Sequence, residues 1–118
     1  MYYGKKVYLS VRNALHGLRY AYGHELSFRM EVWAGAVFLL IVYCYWPISF
    51  LELSLMALSY ILVLAFELIN TALERMFERL HPEHHELVGI SKDLASSAVF
   101  MAVLFSCFVV VYIIVSHW

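Results

Sequence analysis

Apolar positions in this chain gather into three long runs separated by short polar segments. Residues 32–51, VWAGAVFLLIVYCYWPISFL, hold twenty positions without Asp, Glu, Lys or Arg, about the length a helix needs to cross a hydrocarbon core. Pro47 ends the run, and PISFLE predicts a tight turn. A second run, Leu53 to Phe66, must continue past Glu67 to reach spanning length. Residues 94–118 give twenty-five further positions free of those charges. The first 25 residues differ. Val7, Val11, Ala14, Leu15, Leu18 and Tyr22 recur at helical spacing, with Lys5, Lys6, Arg12 and Arg19 on polar faces, which suits an amphipathic helix lying in a membrane interface. The alternative for this segment is a flexible basic tail. The pattern predicts an all-α membrane protein, one domain over residues 1–118. It has a surface helix near 5–25 and three transmembrane helices near 30–50, 52–76 and 91–117.

Composition agrees. Apolar residues make up 64% of the chain and charged residues 14%, against roughly 45–50% and about 25% in soluble domains, so a small soluble fold is excluded. The net charge of −1 says little, but the placement of the cations says more. All eight Lys and Arg residues fall before the first span or between the second and third, and none falls in the Pro47 turn or the C-terminal stretch. By the positive-inside rule the N-terminus and the loop after the second span are cytoplasmic and the C-terminus is outside. The opening residues lack the apolar core and small-residue cleavage site of a secretory signal peptide. Cys44 and Cys107 sit inside apolar runs and read as small buried hydrophobes rather than a disulfide. Ala98, Ala102 and Ser106, with Ala95 nearby, form a small-residue stripe on which helices can approach closely in lipid. Three thin helices enclose little of a site, so a homo-oligomer is expected.

Within FELINTALERMFERL, residues 66–80, the apolar pattern admits Glu67, Asn70, Glu74 and Glu78. At 100° per residue, Glu74 and Glu78 lie 700° and 1100° from Glu67, within about 20° of the same direction, with Asn70 about 60° to one side. The stripe passes from membrane depth towards the cytoplasm. A carboxylate near hydrocarbon is costly and usually functional. Arg75 and Arg79 can neutralise Glu78 at the water's edge, but Glu67 is deepest and has no cation near it in sequence. Two chemistries account for it. One is ion or proton passage through a small oligomer, which must contend with a third span lacking any ionisable residue before His117. In the other, Glu74 helps phosphate oxygens hold a divalent cation while Glu67 deprotonates a substrate hydroxyl at the membrane surface.

The segment HPEHHELVGISKDLASSAVF favours the second. Ser91 is expected to cap the last helix, with Asp93 in its first turn and Lys92 beside the positive end of its dipole, where phosphate binds well. No Walker sequence is present. His81, His84 and His85 match no strong zinc pattern.

ELINTALERMFE, followed after a short loop by HHELVGISKDLASSAV, resembles the signature of the small bacterial membrane diacylglycerol kinase family, which includes undecaprenol kinases. The matching positions are Glu67, Asn70, Thr71, Ala72, Leu73 and Glu74, then the Lys92–Asp93 pair. Upstream, GLRYAYGHELSFRME resembles the family segment with an acidic residue four positions before an Arg, here Glu25 and Arg29. The resemblance implies transfer of the ATP γ-phosphate, with Mg2+, to a lipid hydroxyl in the bacterial inner membrane. It also implies a homotrimer with sites shared between subunits. It gives Glu67 the position of the catalytic base, and Glu25 and Glu74 those of the metal-binding carboxylates. Lys6, Asn13, Asn70, Glu83, His84, His85, Lys92 and Asp93 take nucleotide-contacting positions. Lys6, Arg19, Arg29, Glu31 and Ser96 take lipid-contacting ones. Lys6 and Asn13 stand where the diacylglycerol kinases have Arg and Tyr, Glu78 where Asp is usual, and Met30 where Gln is common. FRME and HEL lean to diacylglycerol as acceptor, giving phosphatidic acid. NTA leans to the alternative, undecaprenol, giving undecaprenyl phosphate.

Overall fold

A computed structural model describes residues 2–80, 83 and 85–118, and the candidate residues His81 and His84 lie outside the described residues. Four helices follow one another: α1 (Tyr2–His24), α2 (Leu26–Cys44), α3 (Phe50–Leu80) and α4 (Glu86–Ser116). The last three are long and apolar enough to cross a membrane. At their polar ends they run beyond the predicted spans. α2 opens at Leu26 and takes in Arg29, and α3 continues to Leu80, because straight-chain charged residues keep their helix propensity. At its other end α2 stops at Cys44, short of the expected boundary near residue 50. The residue before a proline, here Trp46, is steered away from helical backbone. α3, at 31 residues, is about 46 Å long at 1.5 Å per residue, well beyond the ~30 Å of a hydrocarbon core.

The start of α4 corrects the capping expectation. The helix opens at Glu86, and His85 caps it: its Nδ1 accepts the Leu87 backbone N–H at 3.1 Å. Ser91 lies a turn inside, its hydroxyl donating back to the Leu87 carbonyl at 2.9 Å, the usual bond of a mid-helix serine. Lys92 and Asp93 are therefore within the helix body, away from the unpaired N–H groups and the dipole end that were expected to draw phosphate to them.

α3 and α4 form the principal packed pair, and α2 adds a thinner layer. Buried on α3 are Glu52, Met56, Ser59, Val63, Glu67 and Thr71, three or four residues apart and so on one stripe. Met56 joins Val109 and Ile113 of α4 in the core, with Phe38, Ile41 and Val42 of α2 against it. Ala102 of the small-residue stripe is buried, whereas Cys44 and Cys107, expected inside, are free and face outward. In a chain whose apolar residues have lipid as solvent, an outward thiol loses little. Gly35 of α2 permits close approach to α3. A Cβ there would meet the Tyr60 hydroxyl at 2.7 Å, and that hydroxyl donates to the Val32 carbonyl at 2.8 Å.

The α2–α3 turn carries its own helix start. Ser49 Oγ accepts the Glu52 N–H at 3.0 Å, and Glu52 Oε1 accepts the Ser49 N–H at 3.2 Å. Ser-Phe-Leu-Glu is thus a capping box that starts α3. His117, just past α4, reaches the same Glu52 carboxylate at 3.0 Å.

Candidate functional site

The acidic stripe of α3 grades as its depth requires. Glu67 is 8% exposed, Glu74 is half-buried and Glu78 is exposed. Glu67 continues the packing stripe of Met56, Ser59 and Val63, so the helical repeat that builds the core also places this carboxylate inside it. Among the described residues it has no ion pair and no hydrogen bond. The charges acting on it across space are Glu31, Glu74 and Glu25, all negative. α2 supplies Glu31, α3 supplies Glu74, and Glu25 stands at the joint between α1 and α2, with extended backbone at φ −118° and ψ 111°.

Asn70 sits one turn from Glu67. Its Nδ2 donates to Glu74 Oε1 at 3.2 Å, while its Oδ1 is buried without a partner. Glu25 is held by the Arg75 guanidinium, which also donates from Nη1 to both Glu78 oxygens at 3.2 Å and from Nε to the Tyr20 hydroxyl at 3.0 Å. Sequence reasoning offered Arg75 as a local partner for the stripe, which its bond to Glu78 matches. It gave no sign of the reach to Glu25, 50 residues away, or to Tyr20.

The other candidates are spread more widely. Lys6 and Asn13 are exposed on α1 and line a shallow groove with Tyr2, Lys5, Leu9 and Ser10. Arg19 is exposed on the same helix, and Arg29 is half-buried with its guanidinium 6.0 Å from the Tyr22 ring centre. Glu31 lines an apolar cleft of about 350 Å³ with Phe38, Tyr60 and Val63. Glu83 is exposed in the α3–α4 connection, Lys92 is half-buried, and Asp93 and Ser96 are exposed on α4. α1 packs on α2 and α3 and, among the described residues, not on α4. One chain therefore gathers Glu25, Glu31, Glu67, Asn70 and Glu74, but leaves Lys6 and Asn13 apart from Lys92, Asp93 and Ser96.

Hard carboxylate oxygens with an unpaired amide oxygen beside them suit a small divalent cation such as Mg2+. Among the described residues no three His, Cys, Asp or Glu side chains converge as a metal cage. A cation held by so few protein oxygens would take the rest of its shell from phosphate and water, the common arrangement for Mg2+.

The sequence profile of the prokaryotic diacylglycerol kinases matches residues 12–114. The chain belongs to that family. A diacylglycerol kinase of Haemophilus influenzae is 35% identical over 99 residues, covering 79% of this chain and 78% of that protein. One from Escherichia coli K12 is 33% identical over 104 residues, covering 86% of this chain and 83% of its own. A Helicobacter pylori diacylglycerol kinase is 31% identical over 105 residues, covering 89% and 81%. Membership in the prokaryotic diacylglycerol kinase family, together with three helices able to span, makes this a bacterial membrane protein. The matched segment includes every acidic residue gathered above and the Lys92–Asp93 pair, while Lys6 precedes it.

Proposed function

We propose that the protein transfers the γ-phosphate of ATP to the free hydroxyl of diacylglycerol, producing phosphatidic acid and ADP. The observation that carries this reading is Glu67: a buried carboxylate in the cytoplasmic half of a spanning helix, unpaired among the described residues and beside other hard oxygen donors. Glu67 accepts the proton of the lipid hydroxyl as its oxygen bonds to the γ-phosphorus and the bond to ADP breaks. The chain's task is largely to orient the reactants and match their charge, as in phosphoryl transfer generally. Glu25 and Glu74 hold the magnesium ion of the nucleotide, with the Asn70 amide facing the same space. Magnesium, when bound, offsets the charge that builds on the phosphate oxygens. Lys92, Asp93, Glu83, His84 and His85 meet ATP from the cytoplasmic loop and α4, joined by Lys6 and Asn13. Arg19, Arg29, Glu31, Ser96 and Lys6 meet the lipid.

α1 lies in the cytoplasmic interface as an amphipathic helix. Val7, Val11, Leu15 and Leu18 are all exposed in the isolated chain, as a lipid-facing stripe would be. The N-terminus is cytoplasmic and the C-terminus periplasmic or extracellular. The working form is a homotrimer. In a single chain α1 does not pack on α4 among the described residues, which supports a nucleotide shared by the Lys6 and Lys92 groups across a subunit boundary.

The test is an assay of the purified, reconstituted protein with γ-labelled ATP, offering diacylglycerol and undecaprenol side by side. Label in phosphatidic acid is the expected result. Label in undecaprenyl phosphate alone moves the protein to the other branch, and no labelled lipid with either acceptor removes the kinase reading.

A further inference from the structure

We propose that Arg75 is a positioning residue: its guanidinium fixes the Glu25 carboxylate, and with it the end of α1, beside the acidic end of α3. This rests on Glu25 and Glu74 being the carboxylates that hold the nucleotide's divalent cation.

The geometry is specific to an arginine. Nε takes the Tyr20 hydroxyl, Nη2 takes Glu25 and Nη1 takes Glu78, so all three nitrogens have separate partners on α1, on the α1–α2 joint and on α3 itself. The guanidinium also lies 5.8 Å from the centre of the Tyr20 ring. A planar fork satisfied in three directions has one orientation, whereas an ammonium on a flexible stem has many. Among the described residues Arg75 is the only Lys or Arg in an ion pair.

Stability alone does not account for this arrangement. The Arg75 side chain is 38% exposed and that of Glu78 57%, and pairs so open to water contribute little to folding. What the arrangement does control is where Glu25 points. At the joint, Glu25 itself makes backbone bonds to Ala21 and Arg29 at 2.8 and 3.1 Å, and Trp33 Nε1 donates across it to the Tyr22 hydroxyl at 3.0 Å. The Glu25 backbone is extended, and no side chain caps the helix that follows. α1 itself has one buried residue, Ala21. Among the described residues, Arg75 makes the only side-chain hydrogen bonds that tie this carboxylate or α1 to α3. An outer partner that aims a metal-binding carboxylate commonly changes metal affinity when removed.

The experiment is a titration of Mn2+, followed by its electron paramagnetic resonance signal, into the purified full-length protein in micelles with a non-hydrolysable ATP analogue. Arg75→Gln should weaken Mn2+ binding by about tenfold or more. Its lost turnover should return as Mg2+ is raised, an effect on the metal requirement rather than on kcat. Arg75→Lys should recover only part of the loss, and Tyr20→Phe, on the exposed face of α1, should show a smaller shift in the same direction. Tyr20→Phe keeps the inference open to failure if Arg75→Gln does not fold. Unchanged affinity in both Arg75→Gln and Tyr20→Phe overturns the proposal. So does tighter binding in Arg75→Gln, because Arg75 would then be a competitor for Glu25. Glu74→Gln separates the two levels. If it weakens Mn2+ binding while Arg75→Gln and Tyr20→Phe do not, only this inference fails. If Glu74→Gln also leaves binding unchanged, the metal reading fails with it.

Discussion

α3 buries two glutamates on one packing stripe, one in its first turn and one just past its middle, and treats them in opposite ways. Glu52 is 9% exposed and Glu67 is 8% exposed. Glu52 has the Ser49 N–H, the helix start and His117 as partners. Glu67 has no partner among the described residues and three carboxylates acting on it. Burial is matched, so burial does not separate a structural acid from a chemical one. The partner list does. A buried carboxylate whose oxygens are already taken serves the fold, whereas one left open beside other acids has its oxygens free for a proton or a substrate.

The sharpest way to break this contrast is to neutralise each acid in turn. Glu67→Gln should lower kcat by about 10²–10⁴-fold, the usual share of a general base, while MgATP analogue binding persists. Glu52→Gln should leave kcat close to that of the parent protein. Equal losses from the two would show that the distinction has no functional content. A smaller and oppositely signed effect belongs to stability, read as unfolding temperature in micelles. Glu67→Leu should raise it, because an uncompensated polar group is replaced by one that matches its neighbours. Glu52→Leu should lower it by a few degrees, because Ser49 N–H and His117 lose their acceptor. The smallest expected change is Ser49→Ala, which removes one half of the capping box and should cost about 1 kcal/mol of stability without altering turnover.

Much of this organisation was readable from the residue pattern. The three apolar runs have no other good solvent than lipid, and the 3.6-residue repeat alone puts Glu67, Glu74 and Glu78 on one face. The helix limits were less legible. A span read by absence of charge stops too early where Arg29 or Arg79 continues a helix. Ser91 was an attractive cap, but His85 offered its ring nitrogen six residues before the expected helix start at 91. Ser49-x-x-Glu52 had the spacing of a capping box and was legible in principle. The pairings that define the comparison were not. Glu25 with Arg75 and Glu52 with His117 join residues 50 and 65 positions apart, and no local rule selects such partners among several acids and bases. Nor does sequence show that one chain keeps Lys6 and Lys92 apart, since that follows from which helices touch.

The unequal lengths of the helices carry a last consequence. α3 has 31 residues and α2 has 19, a difference of 12, or about 18 Å of rod. Counted from Phe50, Glu67 stands about 26 Å along α3, close to where the tails of an ordinary bilayer give way to headgroups. The thickness of the host membrane therefore sets how far this protein-buried acid lies from the water boundary. Short-chain lipids bring the water boundary down past Glu67, and long-chain lipids draw it under the tails. Turnover that rests on Glu67 is then expected to vary with acyl-chain length at a fixed headgroup, through lipid geometry rather than lipid chemistry.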